Sequence, residues 1–242
     1  MANYQIHKAD SRGHANLGWL DSRQTFSFSG YYNPEMVHFG ALRVLNDDVV
    51  AGGKGFGLHP HDNMEIISIV LEGALEHKDN MGNTGVLRQG EIQVMSTGSG
   101  VFHSEYNKNA DLPAKFLQIW LYPNVLEVTP RYDQITVDAA RSRNRLQQVV
   151  SPKGGNGGTW IYQDAWFSLG DFEKGKGDHY SLQKEGDGVY IFVIRGSFSV
   201  DGQELKTRDG LAVTDASSLN LEALEDDSEV LIMEVPLIKV EA

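Results

Sequence analysis

GFGLHPHDNME (residues 55–65) and TGSGVFHSEYN (residues 97–107) are the stretches from which fold and chemistry can both be read. A β-strand sends residues i and i+2 to one face. The first stretch therefore presents His59 and His61 together, and the second presents His103 and Glu105. Three imidazoles and a carboxylate compose a metal shell. Imidazole suits Zn, Cu, Fe and Ni, and the carboxylate moves the preference toward a harder metal with open coordination positions. One His-x-His alone is often a surface pair, and the chain carries eight histidines. Two such pairs, each set in a glycine-rich turn with hairpin-like sequence between them, are harder to assign to chance.

Composition points to a turn-rich β protein. The 242 residues are 40% hydrophobic, enough for a core, and include 26 glycines, above the roughly 7% average. Lys plus Arg is 21 against 33 Asp plus Glu, a net charge of -12. That balance repels nucleic acid and anionic lipid while leaving a protein partner allowed. Cysteine is absent, so any metal is held by nitrogen and oxygen. The opening MANYQIHKAD is not a signal peptide and no apolar run reaches membrane-spanning length, which leads to the expectation of a cytoplasmic protein.

Along the chain, TFSF (25–28) alternates as a half-buried strand does, and EIISIVLEGALEH (65–77) is an apolar strand bent at Gly73. DAARSRNRLQQVV (138–150) is read as a short helix, and SPKGGNGG (151–158) as a linker that Gly and Pro keep irregular. Beyond it the same grammar returns. IVLEG (69–73) corresponds to FVIRG (192–196), LRQGEIQV (87–94) to TRDGLAVT (207–214), and Asp201-Gly202 marks a hairpin turn. The expectation is two copies of one β module: 1–135 with the metal ligands, a linker region over 136–158, and a degenerate module over 159–242. The second copy offers only His179 ahead of FVIRG, too little for a site, so duplication followed by loss is the hypothesis.

Single histidines receive bland readings: His14, His38 and His77 are taken as solvated or core residues. Trp19, Phe26, Phe28 and Trp120 are assigned to packing, and Phe56 and Met64 to ordinary core or an apolar wall. Arg12 and Asp21 pair on the surface or position a polar substrate. Pro60 cannot donate to a ladder, which places His-Pro-His at an edge or strand end.

The motif spacing resembles that of the cupin superfamily. Gly53, His59-Pro60-His61, Glu65 and Gly73 follow its first motif with one extra residue before the last glycine. Gly90, Ser96, Gly98, Gly100, His103 and Asn107 follow its second, with Ser96 where proline is usual. More specifically, RGHANLGWLDS (12–22), TFSF, HPHDNMEI, VLEG and the HSE triplet resemble pirin-family bicupins. That resemblance implies an all-β chain of two cupin β-sandwich domains, with one divalent transition metal in the N-terminal domain on His59, His61, His103 and Glu105. Fe(II) is expected first, with Zn, Ni, Mn, Co or Cu as alternatives. Glu65, a ligand position in many other cupins, becomes an outer neighbour of the site. The resemblance further implies a flavonol such as quercetin as substrate, cleaved by O2 with release of carbon monoxide, and Glu105 as catalytic base. The alternative is a non-enzymatic, metal-binding regulator of a protein partner.

Overall fold

A computed structural model describes residues 1–238 and stacks four β-layers, antiparallel but for one parallel strand pair at the edge of the second large sheet, with two small sheets outside two large ones. The first large sheet runs β12 (Arg131–Thr136), β9 (Glu91–Ser96), β6 (Glu65–Glu72), β11 (Ala114–Leu121), β4 (Leu42–Val50), β3 (Leu20–Gln24) and β2 (Gly13–Asn16). Its small partner is β5 (Gly55–His61), β10 (Val101–Asn107), β7 (Ala74–Asp79) and β8 (Thr84–Arg88). The second large sheet runs β1 (Asn3–His7), β20 (Gly210–Thr214), β17 (Gly188–Arg195), β22 (Ser228–Val235), β15 (Trp166–Phe172), β13 (Gln147–Pro152) and β14 (Thr159–Ile161). It faces β16 (Gly177–Ser181), β21 (Ser218–Ala223), β18 (Ser197–Val200) and β19 (Gln203–Lys206). Two cupin-type sandwiches result, and no helix among the described residues is long and apolar enough to cross a membrane.

The central strands are apolar on both faces because both faces are covered. In β6, Ile67 and Ile69 turn toward the other half, while Ile66, Ser68 and Val70 turn into their own lumen. In β17, Tyr190, Phe192 and Ile194 face the first half, and Val189, Ile191 and Val193 fill the second lumen. The core joining the halves thus combines Ile67, Leu117 and Ile119 with Phe192, Leu231 and Met233. Each such buried side chain contributes about 1.5–3 kcal/mol. Arg12 and Arg208 both reach Asp47 across the same boundary, at 3.6 and 2.8 Å, so Arg12 belongs to the junction rather than to a substrate site.

Local expectations fare unevenly. Gly73 has φ +81°, and Asp201 and Gly202 both have positive φ as a tight hairpin requires. Pro60 lies on β5, the edge of its sheet. TFSF is not a regular strand. It is an irregular segment in which Thr25 N–H donates to Leu45 O, Ser27 N–H donates to Met36 O, and Phe26 is buried. The helix expected over 138–150 is confined to Ala139–Ser142, because Val149 and Val150 are claimed by the core as part of β13. The stretch expected as linker therefore carries a strand of the second large sheet. The first strand also crosses over: β1 pairs with β20, Asn3 opposite Thr214 and His7 opposite Gly210.

Candidate metal centre

Strands β5 and β10 bring the two sequence pairs together. They are antiparallel neighbours with His59 opposite His103, and period two sends their histidines inward while Leu58, Pro60 and Phe102 are exposed. Ring centroids lie 4.4 Å apart for His59–His103, 4.8 Å for His59–His61 and 5.0 Å for His61–His103. One nitrogen from each of the three rings falls within 4.8 Å of the others. His59 Nδ1 donates to the Gly57 carbonyl at 2.7 Å, which leaves its Nε2 lone pair free. Both ring nitrogens of His103 are buried without a hydrogen-bond partner, an arrangement that native proteins leave for a ligand to complete.

Electrostatics favour neutral, cation-ready imidazoles. Burial, with a smaller contribution from His59, lowers His61 to about 4. Burial and then His59 and His61 lower His103 to about 2. A metal binds the neutral form, so protons compete weakly at neutral pH.

Glu105 is placed differently from the sequence expectation. The β5–β10 register slips between His103 and Glu105, which puts Glu105 opposite Phe56. Its carboxylate accepts from Gln118 Nε2 at 2.9 Å and from Ser68 Oγ at 3.4 Å. Burial raises it to about 7, opposed by the Gln118 hydrogen bond. The structure therefore does not draw the four sequence-expected residues into one group. His59, His61 and His103 form one, and Glu105 forms a second with His103 and His77.

His77 corrects the reading that set it aside. It stands on β7 opposite Glu105, is 1% exposed, and stacks on Tyr132 at 4.6 Å. The detectable signal was His77-x-Asp79 on the strand that closes a hairpin with β8, since that spacing aims both side chains at one face. Trp120 also lies in the site: its ring meets His61 edge-on at 4.8 Å and Phe28 at 5.4 Å, and its buried Nε1 has no partner. Met64 packs beside it against Ile66, Met95 and Val101. Glu65 faces elsewhere. Its carboxylate takes Ser96 Oγ at 2.7 Å and the Tyr162 N–H, at the junction of the halves. His14 pairs with Asp21 at 3.0 Å in solvent, and His38 bonds to Gly40 O.

A polar floor underlies the cluster. Ser22, Gln24, Asn46, Asp48, Ser68 and Gln93 are all buried, and burial raises Asp48 to about 7. In the second half, His179 is exposed and bonds only to Asn220 at 3.0 Å.

Comparison with known proteins agrees with this layout. The family model described as Pirin matches residues 5–121, and that described as quercetinase C-terminal cupin domain matches residues 148–235. The quercetin 2,3-dioxygenase of Escherichia coli K12 is 42% identical over 231 residues, 96% of this chain and 98% of its own. The crystal structure of the bacterial pirin YhhW from Escherichia coli in complex with nickel(II) superposes with a TM-score of 0.91 at 40% identity, covering 98% of this chain and 100% of that one. A quercetin 2,3-dioxygenase from Acinetobacter baumannii, at 18% identity and a TM-score of 0.77, shares the fold over 100% of this chain and 91% of its own.

Proposed function

This chain belongs to the pirin family, and from that premise we propose that it is a metal-dependent dioxygenase that cleaves flavonols such as quercetin with O2. The observation that carries the reading is the convergence of three imidazoles, His59, His61 and His103, the last with both nitrogens buried and without another partner. The relatives named quercetin 2,3-dioxygenase and the nickel-bound relative support it. His59, His61 and His103 would hold one divalent metal, joined by Glu105 from the neighbouring group it forms with His103, with Fe(II) as the first choice for the native ion and nickel as a competent alternative. When bound, the ion supplies Lewis acidity and open positions for the flavonol oxygens and for O2.

The chain's own residues do the rest. Trp120, Phe28 and Met64 form an apolar wall suited to a flat aromatic ring. Glu105 accepts the proton of the flavonol 3-hydroxyl, and burial holds it near neutral pH, where a base is most effective. Gln118 and Ser68 fix that carboxylate so that it meets the hydroxyl in one orientation. The reaction consumes O2 and releases one ring carbon as carbon monoxide, with no added reductant. We place the protein in the cytoplasm, where no disulfide is needed.

Metal analysis of protein purified without added metal, followed by aerobic and anaerobic incubation with quercetin, tests this. One metal per chain, O2 uptake matching quercetin loss, and anaerobic binding without cleavage are expected. Metal-loaded protein that neither consumes O2 nor forms carbon monoxide overturns the enzyme reading and leaves a regulatory pirin.

A further inference from the structure

His77 is a buried imidazole that the metal reading leaves without a task. In the β7–β10 ladder it stands opposite Glu105, and Asp79 stands opposite His103. Its Nε2 lies 3.0 Å from Asp79 Oδ2. Asp79 is otherwise met by donors: the N–H groups of Met81 and Asn83 at 2.9 Å on Oδ1, and Asn83 Nδ2 at 2.8 Å on Oδ2. A carboxylate held this way accepts from the ring as well, so the proton sits on Nε2 and Nδ1 keeps its lone pair. That Nδ1 is buried and has no partner.

His103 presents the complementary deficit. A metal-bound histidine almost always donates its other N–H to a carboxylate, a carbonyl or water, which sets tautomer and ring orientation. His59 has such an acceptor in Gly57 O. His103 has none in the hydrogen-bond network, although both its nitrogens are buried. The Glu105 carboxylate accepts from Gln118 Nε2 and is assigned to the metal, so it is not the acceptor for His103. His77 is the neighbour with a spare lone pair: the two ring centroids are 5.4 Å apart, and a nitrogen of each lies within 4.8 Å of the other. Tyr132 stacks on the His77 ring at an interplanar angle of 28° and holds its plane.

We propose that His77, oriented by Asp79, is a positioning residue for His103, accepting the N–H of the His103 nitrogen turned away from the metal and thereby fixing that ring for coordination. The two rings make no hydrogen bond in this structure, and a bound metal would complete the pair by selecting the His103 orientation that points its second N–H at His77. The proposal rests on the reading of His103 as a metal ligand.

The test is Co(II) titration of wild type, His77→Phe and His77→Asn, read by chelator competition and by the visible ligand-field bands. Phe keeps the ring on Tyr132 and removes both nitrogens. Asn keeps an acceptor near the Nδ1 position. His77→Phe should fold, still bind one Co(II) at saturation, bind it about 10- to 100-fold more weakly, and show shifted bands, while His77→Asn recovers most of the affinity. Unchanged affinity and bands in His77→Phe reduce His77 to packing and overturn the proposal. Equal losses in both variants, with bands reporting a lost nitrogen donor, make His77 a direct ligand and also overturn it. If His77→Phe does not fold, His77→Gln replaces it. Gln carries its amide near the Nε2 position and should bind more weakly than Asn, and equal affinities overturn the proposal. Wild type that takes up no Co(II) overturns both this proposal and the ligand reading, whereas a tight wild type beside an unchanged His77→Phe overturns this one alone.

Discussion

The two halves share a ladder and differ in what lies beneath it. In the first, Ser68 stands between Gln93 and Gln118, the side chains that hold Glu105. In the second, Ile191 stands between Leu211 and Ile232, and all three belong to an apolar cluster with Phe172, Phe198 and Val230. One lumen is a polar floor under three imidazoles, and the other is a packed oil core. A cupin sandwich thus tolerates either filling: the first half holds Glu105 on these lumen side chains, whereas the second buries its carboxylate, Glu234, further along β22 on the Tyr180 hydroxyl and the Gln183 and Lys184 N–H groups.

That contrast is most directly broken by His61→Ala. Metal content measured by elemental analysis should fall from one per chain to near zero, and a retained ion would mean that the first lumen is not the binding half. Glu105→Gln keeps size and an oxygen while removing charge and basicity. Turnover of the metal-reloaded variant should fall about 10²- to 10⁴-fold, and wild-type turnover would assign the proton to another group.

Exchanging the floors sharpens the comparison. Ile232→Gln buries an amide among apolar neighbours and should cost on the order of 3 kcal/mol in urea unfolding. Gln118→Ile should cost about 1–3 kcal/mol, because the buried Glu105 carboxylate and Ser68 hydroxyl each lose a partner, and should weaken metal binding about tenfold. Asp48 gives a smaller, pH-resolved effect. Its folded value of about 7 lies above the ordinary value of 3.8. Ionising it in the fold is therefore penalised increasingly as pH rises from about 4 to 7, and fully above that. Asp48→Asn should accordingly match wild type at pH 4 and gain on the order of 2 kcal/mol at pH 8. An equal gain at both pH values would remove ionisation as the cause. His179→Ala should leave metal content unchanged, and any loss would restore a site to the second half.

Much of this was legible in the sequence because it is local. His59, His61 and His103 converge because period two and one antiparallel pairing suffice, and the Asp201-Gly202 turn follows from residue type alone. Glu105 was found as a residue but not in its grouping, since a register slip and Gln118, thirteen positions away, decide where its carboxylate points. His77 and Trp120 looked ordinary because the His77-x-Asp79 spacing shows a shared face but not which strand lies beside it, and Trp120 has no such local pattern. The short helix and the TFSF segment were misjudged for a related reason: tertiary burial of Val149, Val150 and Phe26 outweighed local propensity.

The placement of β1 affects how the chain can be made. Its partner, β20, is more than 200 residues further on, so β1 must wait for a distant segment of the chain before it finds its neighbour. Asn3 then bonds to Asp215 at 2.7 Å and Lys8 to Asp209 at 2.8 Å, while Pro236 O accepts the Ala41 N–H at 2.9 Å near the other end. The segments around β1 and Pro236 are each anchored on the opposite half. Such distant pairing raises contact order and slows folding, and it makes the two sandwiches a clasp rather than beads on a string. A protease cut within residues 153–158 should therefore leave two fragments that co-elute until denaturant is added.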